Sequence, residues 1–353
     1  MSFFDLFPTP KFLEMTAVGL SISDSAVRFV ELKKVGGNFV LGKYGERSLP
    51  SGVVTSGFIY NSQQLANILS DLKKDYGLNF VKATLPEEKA YLFKTEIPKL
   101  SSTETRSAIS FKLEENVPIS TTNAVFDYSV IEDEFSKTND HQDILVSVLP
   151  VKVVRAYFDA ITSAGLTPLS FEIESQAIAD SVINKKDRRA FLIINLTKEK
   201  TGLYVVSDGV VQFTSTLNPD ETSSPNPSIK VFDISQQKTT SSIEKSQIFR
   251  PANNFTERRD EVRRIYDYWN DHKGKDGERN KKIQKVVLCG ESDEKETFAE
   301  HLRLALKTEV DIAQVWSNCF LFEDYIPPMP LTESLPYAAA IGLALPDFYK
   351  KHA

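Results

Sequence analysis

The 353-residue chain is poor in several things that ordinarily carry chemistry. It has two cysteines, Cys289 and Cys319, too few for a disulfide scaffold; they fit a reducing compartment and read as small buried hydrophobes. Its four histidines, His141, His272, His301 and His352, are scattered without metal-ligand spacing. There is no excess of basic charge: 42 Lys and Arg stand against 48 Asp and Glu, a net of −6. Nucleic-acid binding is therefore not expected, because neutralising phosphates takes clustered Lys and Arg. No apolar run approaches the ~20 residues of a membrane-spanning helix. Met1 to Met15 shows no basic leader followed by an apolar stretch, although Phe3, Phe4, Leu6, Phe7, Phe12 and Leu13 make it apolar. Its expected role is a tail packed on its own domain, with a docking segment for a membrane-proximal partner as the alternative. Walker, G-x-G-x-x-G, H-E-x-x-H, C-x-x-C and G-x-S-x-G motifs are all missing.

An apolar content of 41% supports a packed core, and the length exceeds what one core usually serves, so two domains are expected. Alternation over 17–47 predicts three strands, with Gly36-Gly37 turning the second into the third. Ser62 is placed to cap a helix bearing Leu65, Ile68, Leu69 and Leu72, with Gly77 past its end and a strand at Val81–Leu85. The segment 90–149 reads as strand, helix, strand, strand, its helix opened by a Ser101/Glu104 capping box and closed before Pro118. A helix over 151–164, a strand over 168–173 and a helix around Ala177, Ile178 and Val182 follow. The charged linker Asn184-Lys185-Lys186-Asp187-Arg188-Arg189 then divides the chain.

The second half opens as the first does. Phe191–Asn195, Gly202–Ser207 and Val210–Ser215 predict three strands, the last two joined at Asp208-Gly209. This is a duplication of architecture rather than of sequence. The polar stretch 217–256 reads as a surface excursion with one strand-like patch at Val231–Ile234. Beyond it come a helix over 257–272, a strand ending at Cys289-Gly290, and a helical stripe of Phe298, Leu302 and Ala305. A short strand at Val310–Ala313 and a closely packed helix over 332–346 complete the chain.

Each half places a turn between its first two strands: Ser21-Ile22-Ser23-Asp24-Ser25 and Asn195-Leu196-Thr197-Lys198-Glu199. Backbone amides in such paired turns can converge on a phosphate chain from both sides. A third turn, Cys289-Gly290-Glu291-Ser292, stands where a nucleoside would approach.

This layout, with the segments that carry it, is similar to the PilM family of type IV pilus assembly, actin-like relatives of the cell-division protein FtsA. VGLSISDSAVRFVELKK resembles the family's first phosphate segment, and SGFIYNSQQLANIL its continuation. LEENVPISTTNAVFDYSVI and DILVSVLPVKVVRAYFDAITSAGLTPLSFEIESQAIADSV resemble its insert and the helices after it. FLIINLTKEKTGLYVVSDGVVQFTSTL resembles the second phosphate segment, with EVRRIYDYW, KVVLCGESDE and LPYAAAIGLAL as later landmarks. The resemblance implies an α/β fold of two actin-like (ribonuclease H-like) domains with a small α+β insert. Residues 17–89 and 150–186 would form the first domain, with the helix 332–346 packing back on it. Residues 90–149 would be the insert and 187–331 the second domain.

The departures fall on the nucleotide positions that the resemblance implies: Ser21, Ser23, Asp24, Ser25, Asn195, Thr197, Lys198, Gly290 and Glu291. Ser21 and Asn195 replace the two acidic residues, and Ser23 and Thr197 replace glycines. Gly290 is retained but is followed by Glu291, and 217–256 holds no glycine pair and no A-E-x-x-K. A hydroxyl or amide holds Mg²⁺ far less well than a carboxylate. The cofactor of the fold, ATP with Mg²⁺, is therefore expected to bind weakly or not at all, and no catalytic or metal-ligating residue is assigned. The implied role is a cytoplasmic adaptor of a type IV pilus or type II secretion-like machine. It would bind the N-terminal peptide of a PilN-like inner-membrane protein in a groove around 90–150. Membrane association would come only through that partner, and self-association is left open. The alternatives are an active actin-like ATPase or kinase, and an FtsA-like protein that polymerises and carries an amphipathic tail. Asp347–Ala353 is expected to be too short for such a tail.

Overall fold

A computed structural model describes residues 17–35, 38–131, 140–217, 255–271 and 281–346. The first part comprises β1 (Ala17–Ile22), β2 (Ala26–Val35), β3 (Asn38–Ser48), β4 (Val54–Thr55), β5 (Phe58–Ile59), α1 (Ser62–Tyr76) and β6 (Phe80–Leu85). Next come β7 (Tyr91–Pro98), α2 (Ser102–Asn116), β8 (Ala124–Val130), β9 (His141–Pro150), α3 (Val151–Ser163), β10 (Thr167–Ile173) and α4 (Glu174–Val182). The remainder is β11 (Ala190–Leu196), β12 (Thr201–Ser207), β13 (Val210–Leu217), α5 (Phe255–Asp271), β14 (Ile283–Gly290), α6 (Lys295–Leu306), β15 (Glu309–Ile312), α7 (Leu331–Ser334) and α8 (Ala338–Ala344).

Two five-stranded sheets share one topology. The first runs β3-β2-β1-β6-β10 and the second β13-β12-β11-β14-β15. In each, three antiparallel strands from one meander are extended by two parallel strands reached through crossovers. The duplication of architecture expected from the strand pattern is thus present strand for strand. A separate three-stranded sheet, β7-β9-β8, carries α2 on one face, with Ile109 and Leu113 packed onto Phe93, Ile144, Val146 and Val148.

Both large sheets are covered on two sides, which is why their central strands read as nearly unbroken apolar runs. On β11, Leu192, Ile194 and Leu196 face a core with α5 and α6, while Phe191 and Ile193 face α4 and α8. The first sheet likewise sets Leu20, Val27 and Phe29 against α1 and α3, and Val30 and Leu32 against the α4–α8 layer. The pair α4 and α8 therefore lies between the sheets. Small residues make this layer thin enough: a Cβ built on Gly19 of β1 would stand 1.9 Å from Ala340 O. One on Gly342 of α8 would stand 1.8 Å from Ala177 O. The buried Lys82 ammonium donates to Leu345 O, 3.2 Å away, at the open end of α8. Among the described residues no helix is long and apolar enough to cross a membrane.

Local chemistry departs from expectation in three places. Asn61, not Ser62, caps α1: its side chain accepts the Gln64 N–H at 3.0 Å, and Ser62 is already helical. The expected helix over 332–346 is divided into α7, a 3₁₀ turn over Leu335–Tyr337, and α8, because Pro336 brings no N–H to an α-helical interior. The hairpin β4–β5 was not foreseen; two-residue strands give no alternation to read. The Gly36-Gly37 turn and the Val231–Ile234 strand lie outside the described residues. So do the N-terminal segment before Ala17 and most of 217–256.

The helix–strand contact supplies a first test. Gly342→Ala should lower stability by about 3 kcal/mol or prevent folding, because a methyl group there meets backbone that cannot move aside. Denaturant midpoints of variant and parent measure it.

Candidate functional site

The two turns between first and second strands are built identically. Ser23 donates its backbone N–H (2.9 Å) and its hydroxyl (3.0 Å) to Ala26 O, and Ser23 Oγ accepts the Ala26 N–H at 3.1 Å. Thr197 does the same to Lys200: N–H to Lys200 O at 3.0 Å, hydroxyl to Lys200 O at 3.0 Å, and Oγ1 accepting the Lys200 N–H at 3.1 Å. Hydroxyl residues close turns this way by offering the backbone a local partner. The consequence is that the N–H groups of Ser23, Ala26, Thr197 and Lys200 are engaged inside their own turns. Ile22 N–H is also taken, by Thr84 Oγ1 at 3.1 Å.

Gly290 ends β14 with φ +98°, and a Cβ there would stand 2.2 Å from Leu196 O. This backbone brings the Glu291 N–H to Leu196 O at 2.9 Å and the Ser292 N–H to the same oxygen at 3.2 Å. The third turn is thereby fastened against the second. Asn195 is buried, and its Oδ1 accepts the Cys289 thiol at 3.8 Å. Ser21 is buried opposite Arg28 in the β1–β2 ladder. Asp24 turns the other way: its carboxylate accepts the Ser56 N–H (2.6 Å) and the Gly57 N–H (3.2 Å), pinning the β4–β5 hairpin. The buried Ser25 hydroxyl has no hydrogen-bond partner among the described residues.

Two sets of ion pairs cross from one sheet to the other. Lys200, at the end of the second turn, places its ammonium 2.5 Å from Glu88 Oε1 and 3.1 Å from Glu174 Oε2. All three side chains are at most 14% exposed. Arg28 on β2 binds Glu46 through Nε and Glu291 through Nη2, both at 2.6 Å. The other Glu291 oxygen accepts the Lys198 N–H at 3.3 Å. Burial alone would push the Lys200 ammonium toward neutrality, but the Glu174 and Glu88 carboxylates overrule it and hold it charged. Burial pushes Glu88 up, and Lys200 more than offsets this, leaving its carboxyl below the ordinary range. Neighbouring Glu87 has no such cation among the described residues. Burial pushes it up to about 7, although it accepts the Ser175 N–H at 3.1 Å at the start of α4.

The nine residues singled out in the sequence therefore separate. Ser23 and Thr197 close the twin turns, Lys198, Gly290 and Glu291 come together at one end of the second sheet, and Asp24 serves the hairpin. The cross-cleft partners Arg28, Glu88, Glu174 and Lys200 escaped notice. Arg28 left a trace as a charge inside Ala26-Val27-Arg28-Phe29-Val30; the others meet only through tertiary structure. The donors present do not match ATP with Mg²⁺. The loops offer a hydroxyl and an amide where a hydrated metal favours carboxylate, and a carboxylate already sits on the Lys198 amide.

Lys200→Met should lower stability by roughly 3–5 kcal/mol, because it leaves Glu88 and Glu174 buried without their cation. Glu87 gives a pH test of defined sign. The folded chain holds its proton up to about pH 7 while the unfolded chain releases it from the ordinary range near 4.5. Stability should therefore fall as pH rises from about 5 to 7. Glu87→Gln, which keeps an acceptor for Ser175, should remove that slope and raise stability at pH 8 by about 3 kcal/mol. Thermal unfolding at a series of pH values reads both effects.

Residues 19–348 match the family model described as type IV pilus assembly protein PilM. No curated protein matches the chain. Among solved structures, the PilM-PilN type IV pilus biogenesis complex is similar at TM-score 0.70 and 19% identity, over 94% of this chain and 98% of that one. The ethanolamine utilization protein EutJ from Carboxydothermus hydrogenoformans gives TM-score 0.46 at 10% identity, over 96% and 90%. The cytoplasmic domain of EpsL, an inner-membrane component of the type II secretion system of Vibrio cholerae, gives 0.44 at 10%, over 92% and 94%. The twin five-stranded sheets are those of the two-domain actin-like α/β fold. With a family model spanning nearly its whole length, this chain belongs to the type IV pilus assembly protein PilM family.

Proposed function

We propose that this family member works in type IV pilus assembly as a scaffold rather than as an ATPase. Its partner is the N-terminal cytoplasmic peptide of a PilN-like inner-membrane protein. The observation that carries the partner is the likeness of nearly the whole chain to a PilM-PilN complex. The protein is placed in the cytoplasm and held at the inner membrane through that partner. The groove is assigned between the first actin-like domain, 17–89 with 150–186, and the insert 90–149. The second domain, 187–331, is joined to the first across the cleft, and 332–346 belongs with the first.

Weakened or lost nucleotide binding is part of the same proposal. It is supported by the inward-turned amides of the Ser23 and Thr197 turns and by the neutral Ser21 and Asn195. Phosphoryl transfer needs a positioned metal and a base, and neither phosphate turn offers a carboxylate at those positions.

The insert can be removed with little strain, because Tyr91 pairs with Val148 and its two ends leave side by side. The full chain should bind a synthetic PilN-like N-terminal peptide with a dissociation constant on the order of micromolar. A chain with 90–149 replaced by a short Gly-Ser link should not. Peptide binding that survives the excision overturns the groove, and no binding by the full chain overturns the partner. Calorimetry with ATP and Mg²⁺ should show no heat; micromolar binding with phosphate release would restore the ATPase.

A further inference from the structure

Glu291 has an environment that its sequence position does not explain by folding alone. It stands one residue past β14, where the positive φ of Gly290 turns the chain toward the first sheet. Its side chain is 12% exposed. One carboxylate oxygen takes a guanidinium N–H from Arg28 of the first sheet at 2.6 Å. The other takes the backbone N–H of Lys198, in the second sheet's turn, at 3.3 Å. A guanidinium from one side and a turn amide from the other are the donors an oxyanion recruits in a cleft.

We propose that Glu291 is an internal anion filling a latent oxyanion site built between the two sheets by Arg28 and the Lys198 amide. Its ligand class is phosphate-like oxyanions, polyphosphate chains above all. The carboxylate does two things there. It links the halves as a diffusible anion would, and it excludes that anion by occupying the donors and by like charge. Glu46 on Arg28 Nε belongs to the same cluster, so Arg28, Glu46 and Glu291 sum to −1 (+1 − 1 − 1), which would repel a phosphate. Without Glu291 the sum is zero, and Arg28 Nη2 and the Lys198 N–H are left facing the cleft. Lys295, whose ammonium donates to Ser292 O in the same turn, adds positive potential nearby. The inference rests on the reading that the native cleft takes no nucleotide.

The full chain and its Glu291→Ala variant are compared in metal-free inorganic tripolyphosphate, by calorimetry and by thermal unfolding. The parent should not respond. The variant should bind roughly tenfold or more tightly than the parent and melt higher as tripolyphosphate is added. Arg28→Met combined with Glu291→Ala should lose the gain. If Glu291→Ala folds only when tripolyphosphate is present, the site is equally shown. A folded variant no more responsive than the parent overturns the assignment. So does a gain that persists without Arg28, or a variant that tripolyphosphate cannot recover. Hydrogen exchange of the parent needs no variant: the Lys198 amide should be protected, and free exchange there counts against the carboxylate contact. Micromolar ATP binding by the parent would remove the scaffold reading, whereas an indifferent Glu291→Ala removes only the role of Glu291.

Discussion

Lys200 carries a full charge into the joint between two sheets, where water hardly reaches it, and binds two carboxylates, one just past β6 and one on α4. A buried ammonium is tolerable only with its counter-charges in place, so the geometry of the joint is constrained by electrostatics as well as by packing. Glu88 must stand just past β6, Glu174 at the first turn of α4, and the second turn must close so that Lys200 points across. Apolar contacts through α4 and α8 supply most of the burial between the sheets. They are not directional, whereas the ion pairs admit one register.

That joint lies at the ends of the twin turns, where Lys200 closes the second and Arg28 follows the first. The twin turns carry mirrored hydrogen bonds, and each hydroxyl closes its turn on itself. Glu291 and Arg28 make the second link. Side chains of opposite charge thus link the two sheets directly. The scaffold proposed above, with one groove for one peptide, is compatible with a fixed joint and has no need of a hinge driven by ligand turnover.

Much of the architecture was legible in the chain because period and punctuation are local. Strands β1 to β3 and β11 to β13 announced themselves by alternation and by Asp208-Gly209, whose φ values of +58° and +81° are those of a tight hairpin turn. The Ser101/Glu104 capping box formed as written. The hairpin β4–β5 was illegible because its strands are too short to show a period, and α7–α8 was mistaken for one helix because its small apolar residues mask the break at Pro336. Of the candidate site, the turn residues could be found by position, while Arg28, Glu88, Glu174 and Lys200 could not. They are scattered over 173 positions (200 − 28 + 1) and share no spacing.

The sequence by itself determined the elements, their order, the doubling of one strand plan, and the neutral Ser21 and Asn195 at the heads of the two turns, since each depends on neighbours within a few residues. Only the tertiary structure decided what those turns are joined to. Whether a lysine is solvated or buried between two carboxylates, and whether Glu291 faces water or an arginine 263 residues away, depends on which surfaces the two sheets bring together. Electrostatic energy follows distance in space, and distance along the chain carries no record of it.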